Sequence, residues 1–171
     1  NKKLILYAPT FRGEGIEDIK YQSNINELKT LLDDDMVLLI KKHPLIKTNL
    51  EIDDVSLDDL YQLLIVADIV ISDYSALVFD SMILNKKIIL YLYDLISYQK
   101  ERGLCLDIND LNVEKASTIK EVYDIIAHGN EDSIEYEDNK NKYLKMIDGK
   151  ANERLLAMID LIIGEDGNVK E

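Results

Sequence analysis

One local pattern constrains this chain more than any other: short apolar runs that do not alternate, each ending in a polar tip. Ile69-Val70-Ile71-Ser72 leads into Asp73-Tyr74-Ser75, then into Ala76-Leu77-Val78-Phe79-Asp80. Met36-Val37-Leu38-Leu39-Ile40 leads into Lys41-Lys42-His43-Pro44. Leu4–Ala8 is stopped by Pro9 before a loop with Gly13 and Gly15, and Ile88–Tyr91 is a further run. Strands without alternation are covered on both faces, which is the habit of parallel sheets. Amphipathic segments intervene. Ile25, Leu28, Leu31 and Leu32 recur at helical spacing over about 24–33, and about 75–84 reads as another helix. Between them Val55 suits a short strand or extended segment. Ser56 or Asp58 then caps a helix through Val66, with Leu60, Leu63 and Leu64 inward. The alternation predicts an α/β fold, a Rossmann-like parallel sheet with helices on both faces.

After Tyr93 the pattern turns mostly helical, at about 95–101, 117–128, 133–146 and 151–163. The last of these is expected to bury Leu155, Leu156, Ile159 and Ile162. Residues 1–164 read as one domain and 165–171 as a frayed tail. Asn1-Lys2-Lys3 runs straight into the first apolar segment, as expected of a piece cut from something longer.

Composition narrows the partners. The 171 residues carry a net charge of −13, a field that repels nucleic acid and anionic lipid. An anionic small ligand therefore needs a local cationic pocket. The single Cys105 permits no internal disulfide and points to a reducing compartment. No apolar stretch approaches the ~18 residues that span a bilayer, and no signal peptide is evident.

Familiar site motifs are missing. No G-x-G-x-x-G, Walker-type loop, C-x-x-C or G-x-S-x-G occurs, and two isolated histidines make no ordinary zinc site. The informative residues sit at strand ends. Ser72-Asp73-Tyr74-Ser75 opens a helix whose first N–H groups lack intrahelical partners, so Ser75 and the N–H groups from Ser75 through Ala76 to Leu77 can donate to a diphosphate. A plain helix cap by Asp73 or Ser75 is the commoner role of such a segment. His43, aimed by Pro44, can donate to phosphate or stabilise a leaving group. Thr10 and Arg12 follow the first strand, and Arg suits bidentate phosphate contact. Asp80, five residues into the helix, can accept from a ribose. His128 before Gly129 fits a helix C-terminal cap. Tyr91, Tyr93 and Tyr98 can flank a base or simply sit half-buried.

Taken in order, these segments resemble the CDP-glycerol glycerophosphotransferase family, the teichoic-acid and capsule polymerases and primases of GT-B architecture. The resemblance rests on Ile5-Leu6-Tyr7-Ala8-Pro9-Thr10-Phe11-Arg12, Lys42-His43-Pro44, Asp58-Asp59-Leu60-Tyr61, and Ala67 through Ser75. Phe79-Asp80 and the stretch from Tyr91 to Arg102-Gly103 complete it, within roughly residues 4–107. It implies the C-terminal, donor-binding half of a GT-B fold. The donor would be CDP-glycerol or CDP-ribitol. Ser75 with Ala76 would bind the diphosphate beside Ser72 and Asp73, and Asp80 would touch the ribose. His43 would contact the phosphates and stabilise the departing CMP, and Thr10 and Arg12 would line the cleft, with Arg12 serving catalysis by helping to neutralise charge at the transferring group. Two departures stand out. The family often has two serines where this chain has Ser75-Ala76, and often an aromatic residue where it has Ser81.

The implied chemistry is attack of an acceptor hydroxyl on the β-phosphorus, releasing CMP and leaving a phosphodiester in a growing teichoic acid or capsule polymer. The acceptor-binding N-terminal half and the general base fall outside this chain, so the piece alone would bind donor and transfer nothing. No ligand cluster indicates a metal, and Mg²⁺ stays open as a companion of the diphosphate. The parent protein would be cytoplasmic and peripheral on the inner face of a bacterial membrane. Two rivals remain at this point: the donor half of a UDP-sugar glycosyltransferase or epimerase, and a non-catalytic α/β interaction module.

Overall fold

The computed structural model describes residues 2–12, 16–43, 55, 59–129 and 136–163, with side chains over 16–23 excepted. Two compact units emerge, Asn1–Tyr136 and Glu137–Glu171. The first unit is a five-stranded, wholly parallel sheet in the order β2-β1-β3-β4-β5. Its strands are β1 (Lys3–Tyr7), β2 (Met36–Ile40), β3 (Ile69–Ser72), β4 (Lys87–Tyr91) and β5 (Glu114–Ala116). The connecting helices are α1 (Ile16–Leu31), α2 (Leu60–Val66), α3 (Leu77–Ile83), α4 (Leu95–Arg102) and α5 (Ile119–His128). The second unit contains α6 (Glu137–Tyr143) and α7 (Ala151–Ile162).

The two faces of the sheet carry separate cores. On one, Ile5, Tyr7, Leu38, Ile40, Ile69, Ile71 and Ile89 meet Ile25 and Leu28 of α1 and Val122 and Ile126 of α5. On the other, Leu6, Val70 and Ala8 meet Leu63 and Leu64 of α2 and Leu77 of α3. Alternate residues of each strand point to opposite faces, and both faces of the sheet's centre are buried, so β1 to β4 are apolar apart from the lysines that open β1 and β4 and Ser72 at the end of β3. The expected fold class is what forms.

Several local expectations need correction. The α2 cap is Asp59, whose side chain accepts from the N–H groups of Tyr61 and Gln62; Ser56 and Asp58 lie outside the described residues, as do Gly13, Gly15 and Pro44. Of the two readings of Val55 the strand is not the one that forms, and its N–H donates to Ile40 O at 3.0 Å. Helix α1 begins well before residue 24. Strand β5 was not expected at all. Its three residues, Glu114-Lys115-Ala116, form an edge with only Ala116 buried, too short and too charged to show a pattern. In α7, Leu155, Leu156, Ile159 and Ile162 are 39–61% exposed rather than buried. Helical spacing marks an apolar face but cannot say whether anything covers it. The cap of α5 is a full capping box, Thr118 with Glu121, and the His128 ring sits beside Asp124 O in the last turn.

Candidate functional site

All five strands run the same way, so their carboxyl ends share one edge. In this order the winding reverses between β1 and β3, and ligands of doubly wound sheets settle at that carboxyl-end crevice. The residues following β1 and β3 are joined there. Asp73, 3% exposed, accepts from the Thr10 N–H through both carboxylate oxygens at 3.0 Å and from the Thr10 hydroxyl at 3.1 Å. It also pairs with Arg12 Nη2 at 2.7 Å. Arg12 extends the junction to the loop after β4: its Nε donates to Asp94 Oδ2 at 2.6 Å and its Nη2 to Asp94 Oδ1 at 3.3 Å. Its Nη1 donates to Thr10 O and to the Thr10 hydroxyl.

Three tyrosines wrap this hub. The Arg12 guanidinium lies 4.9 Å from the Tyr74 ring, 4.8 Å from Tyr98 and 5.7 Å from Tyr93. Tyr74 and Tyr98 stack with centroids 3.8 Å apart, and the Tyr74 hydroxyl donates to Asp94 at 3.0 Å. Burial alone would favour a neutral Arg12. The Asp94 hydrogen bond and the charges of Asp73 and Asp94 outweigh it and hold the guanidinium above its ordinary range. Burial, then the Asp94 charge, pushes the Tyr74 phenol up. Burial also raises the Asp73 carboxyl, against the downward pull of Arg12 and Thr10.

This geometry reassigns several residues. Arg12, expected to meet a phosphate, is already matched by two carboxylates. Both oxygens of Asp73 are engaged by Thr10 and Arg12, and Thr10 turns inward to the same hub. Ser72 is fully buried on the face of Val70, and its hydroxyl donates to Ala8 O at 2.9 Å, so it ties β3 to β1 and presents nothing to a ligand. Ser75 is half-buried, and its hydroxyl accepts from the Leu77 N–H at 3.2 Å, the capping role. The N–H groups of Ser75 and Ala76 carry no hydrogen bond among the described residues, and Ala76 is exposed.

Ser75 and Ala76 open onto a cleft of about 340 Å³, walled by Tyr74, Phe79 and Tyr98 and by the chain from Arg102 to Leu106. Asp80 does not line it, although Val78 and Phe79 do. Sequence reasoning missed the Asp94 partner and the Arg102 wall. Gly103 shapes that wall with φ 74° and ψ 172°, a region essentially restricted to glycine. Gly103→Ala is therefore expected to lower unfolding free energy by about 1–3 kcal/mol, read by urea denaturation.

His43 follows β2, on the other side of β1. Its ring stacks on Phe11 at 5.7 Å and 24°. Two strand spacings, about 10 Å, separate β2 from β3, so His43 and the Ser75 turn flank the β1 end on one edge. Among the described residues, no group of three His, Cys, Asp or Glu side chains could hold a metal ion, and no helix is long and apolar enough to cross a membrane.

The sheet order and the helices on both faces define the class: a Rossmann-like, wholly parallel α/β domain with polar residues at one edge. More specifically, the chain belongs to the CDP-glycerol:poly(glycerophosphate) glycerophosphotransferase family, whose profile matches residues 1–161. It is 37% identical over 172 residues to the teichoic acid glycerol-phosphate primase of Bacillus subtilis (strain 168), covering 95% of this chain and 44% of that protein. It is 30% identical to the teichoic acid poly(ribitol-phosphate) polymerase of Bacillus spizizenii, covering 93% of this chain and 28% of that protein. The solved wall teichoic acid polymerase TagF superposes with a TM-score of 0.69 at 26% identity, over 92% of this chain and 43% of that one. A variant of the same polymerase soaked with CDPG gives 0.68 at 25% identity, over 93% and 42%. The chain thus spans less than half the length of these relatives.

Proposed function

We propose that this chain is the donor-binding part of a transferase that moves glycerol phosphate or ribitol phosphate from a CDP-alditol to a hydroxyl of a growing teichoic acid or capsule polymer, releasing CMP. The observation that carries the reading is the placement of His43 and the Ser75 turn on either side of β1, at the carboxyl edge of the sheet. A diphosphate lying across that edge would meet the open N–H groups of Ser75 and Ala76 at one end and the imidazole of His43 at the other. Positioning and charge neutralisation of this kind are what phosphoryl transfer asks of a protein. His43 would stabilise charge on the departing CMP.

The hub supports this in a different way from the one the sequence suggests. Arg12, Asp73 and Thr10 hold the β1, β3 and β4 loops in fixed relation, so the donor would meet a preformed edge. The acceptor-binding half and the general base would come from the remaining length that the relatives possess, with the assembled protein peripheral on the inner face of a membrane. In that arrangement these 171 residues alone bind donor without turnover.

The test is calorimetry and thermal shift with CDP-glycerol, CDP-ribitol, UDP-GlcNAc and CMP. CDP-alditols are expected to stabilise the chain by about 2.7 kcal/mol at a hundredfold excess over Kd. Preference for the uridine nucleotide would sink the reading in favour of a UDP-sugar enzyme. No binding of any nucleotide would leave a scaffold without donor recognition.

A further inference from the structure

The cleft beside Ser75 contains a cation that the hub does not consume. Arg102 is the last residue of α4 and is exposed. Its guanidinium lies 5.8 Å from the Tyr98 ring, and it forms no ion pair among the described residues. Tyr98 is itself fixed by stacking on Tyr74, whose hydroxyl is anchored by Asp94. Arg102 therefore rests against an aromatic platform that Asp94 ties to the hub. Gly103 then turns the chain back along the same wall.

Charge makes the contrast with Arg12 decisive. Arg12, Asp73 and Asp94 sum to one negative charge, so the hub alone repels a diphosphate. The chain as a whole carries −13. An anion entering the cleft gains from a guanidinium whose charge is not already matched, and Arg presents a planar fork suited to two phosphate oxygens. We propose that Arg102, rather than Arg12, is the guanidinium that pairs with the diphosphate of the nucleotide donor, from the cleft it shares with Ser75. This rests on the donor reading above.

The experiment is titration of CDP, CMP and cytidine into the 171-residue chain and its R102Q, R102M and R102K variants. R102Q and R102M are expected to bind CDP about 10–100-fold more weakly, and R102K to recover part of the loss. R102M keeps the apolar stem, so it carries the test should R102Q melt early. Cytidine has no phosphate and is expected to bind all four chains alike. Unchanged CDP affinity in R102Q and R102M overturns the assignment while the donor reading stands. An equal fall for cytidine also overturns it, because Arg102 would then be a base contact or scaffold. Absence of any cytidine nucleotide binding by the unaltered chain removes the donor reading and this inference together.

Discussion

Arg12→Ala is expected to lower the stability of the chain by about 3–5 kcal/mol, the usual consequence of removing one partner from a buried ion pair. The guanidinium is 9% exposed and Asp73 only 3%, so water cannot replace what is lost. Asp73 would keep its Thr10 hydrogen bonds but lose its counter-charge, and Asp94 would lose both of its Arg12 contacts. The Tyr74–Tyr98 stack would lose the cation against its rings. Arg12→Lys should recover less than half, since an ammonium cannot span Asp73, Asp94 and Thr10 O together. Combining Arg12→Met with Asp73→Asn should be milder than the sum of the two singles, because the most deeply buried carboxylate is then no longer left unpaired, although Asp94 still loses its cation. Urea denaturation gives all of these values. A stable Arg12→Ala chain that has merely lost nucleotide affinity would show that Arg12 is a ligand contact after all.

His43→Ala is expected to weaken CDP-glycerol binding by about 1.5–3 kcal/mol, the worth of a hydrogen bond to a charged group. The same change removes the stack on Phe11, which contributes about 0.5–1.5 kcal/mol of stability. The two effects separate through His43→Phe. That variant keeps the ring against Phe11 and loses the N–H, so it should melt like the parent and bind as poorly as the alanine variant. Normal binding by His43→Phe would confine His43 to packing.

The sheet was legible because burial on both faces writes itself into β2 and β3 as unbroken apolar runs. Both were delimited to the residue, Met36–Ile40 and Ile69–Ser72. β5 was not legible: as a three-residue edge it needs only Ala116 inward, and one residue makes no pattern. The carboxyl edge was legible as a location, since polar groups after apolar runs mark where the strands end. The roles of individual residues were not. Whether Arg12 faces solvent or a carboxylate depends on Asp73 and Asp94, 61 and 82 positions away. Ser72 could have been read correctly from strand alternation, which puts it on the inward face with Val70. Asp59 is the cap of α2, and spacing alone does not tell it from the adjacent Asp58.

The junction of Thr10, Arg12, Asp73 and Asp94 also limits how the ligand end can be rebuilt. Grafting the segment after β1 from one homologue into another transplants a cation whose carboxylates reside in two distant stretches of the recipient. Chimaeras that bring in Arg12 without carboxylates at positions 73 and 94 inherit an uncompensated charge, whereas exchanging all three stretches as one module keeps each charge with its partner at the edge of the sheet.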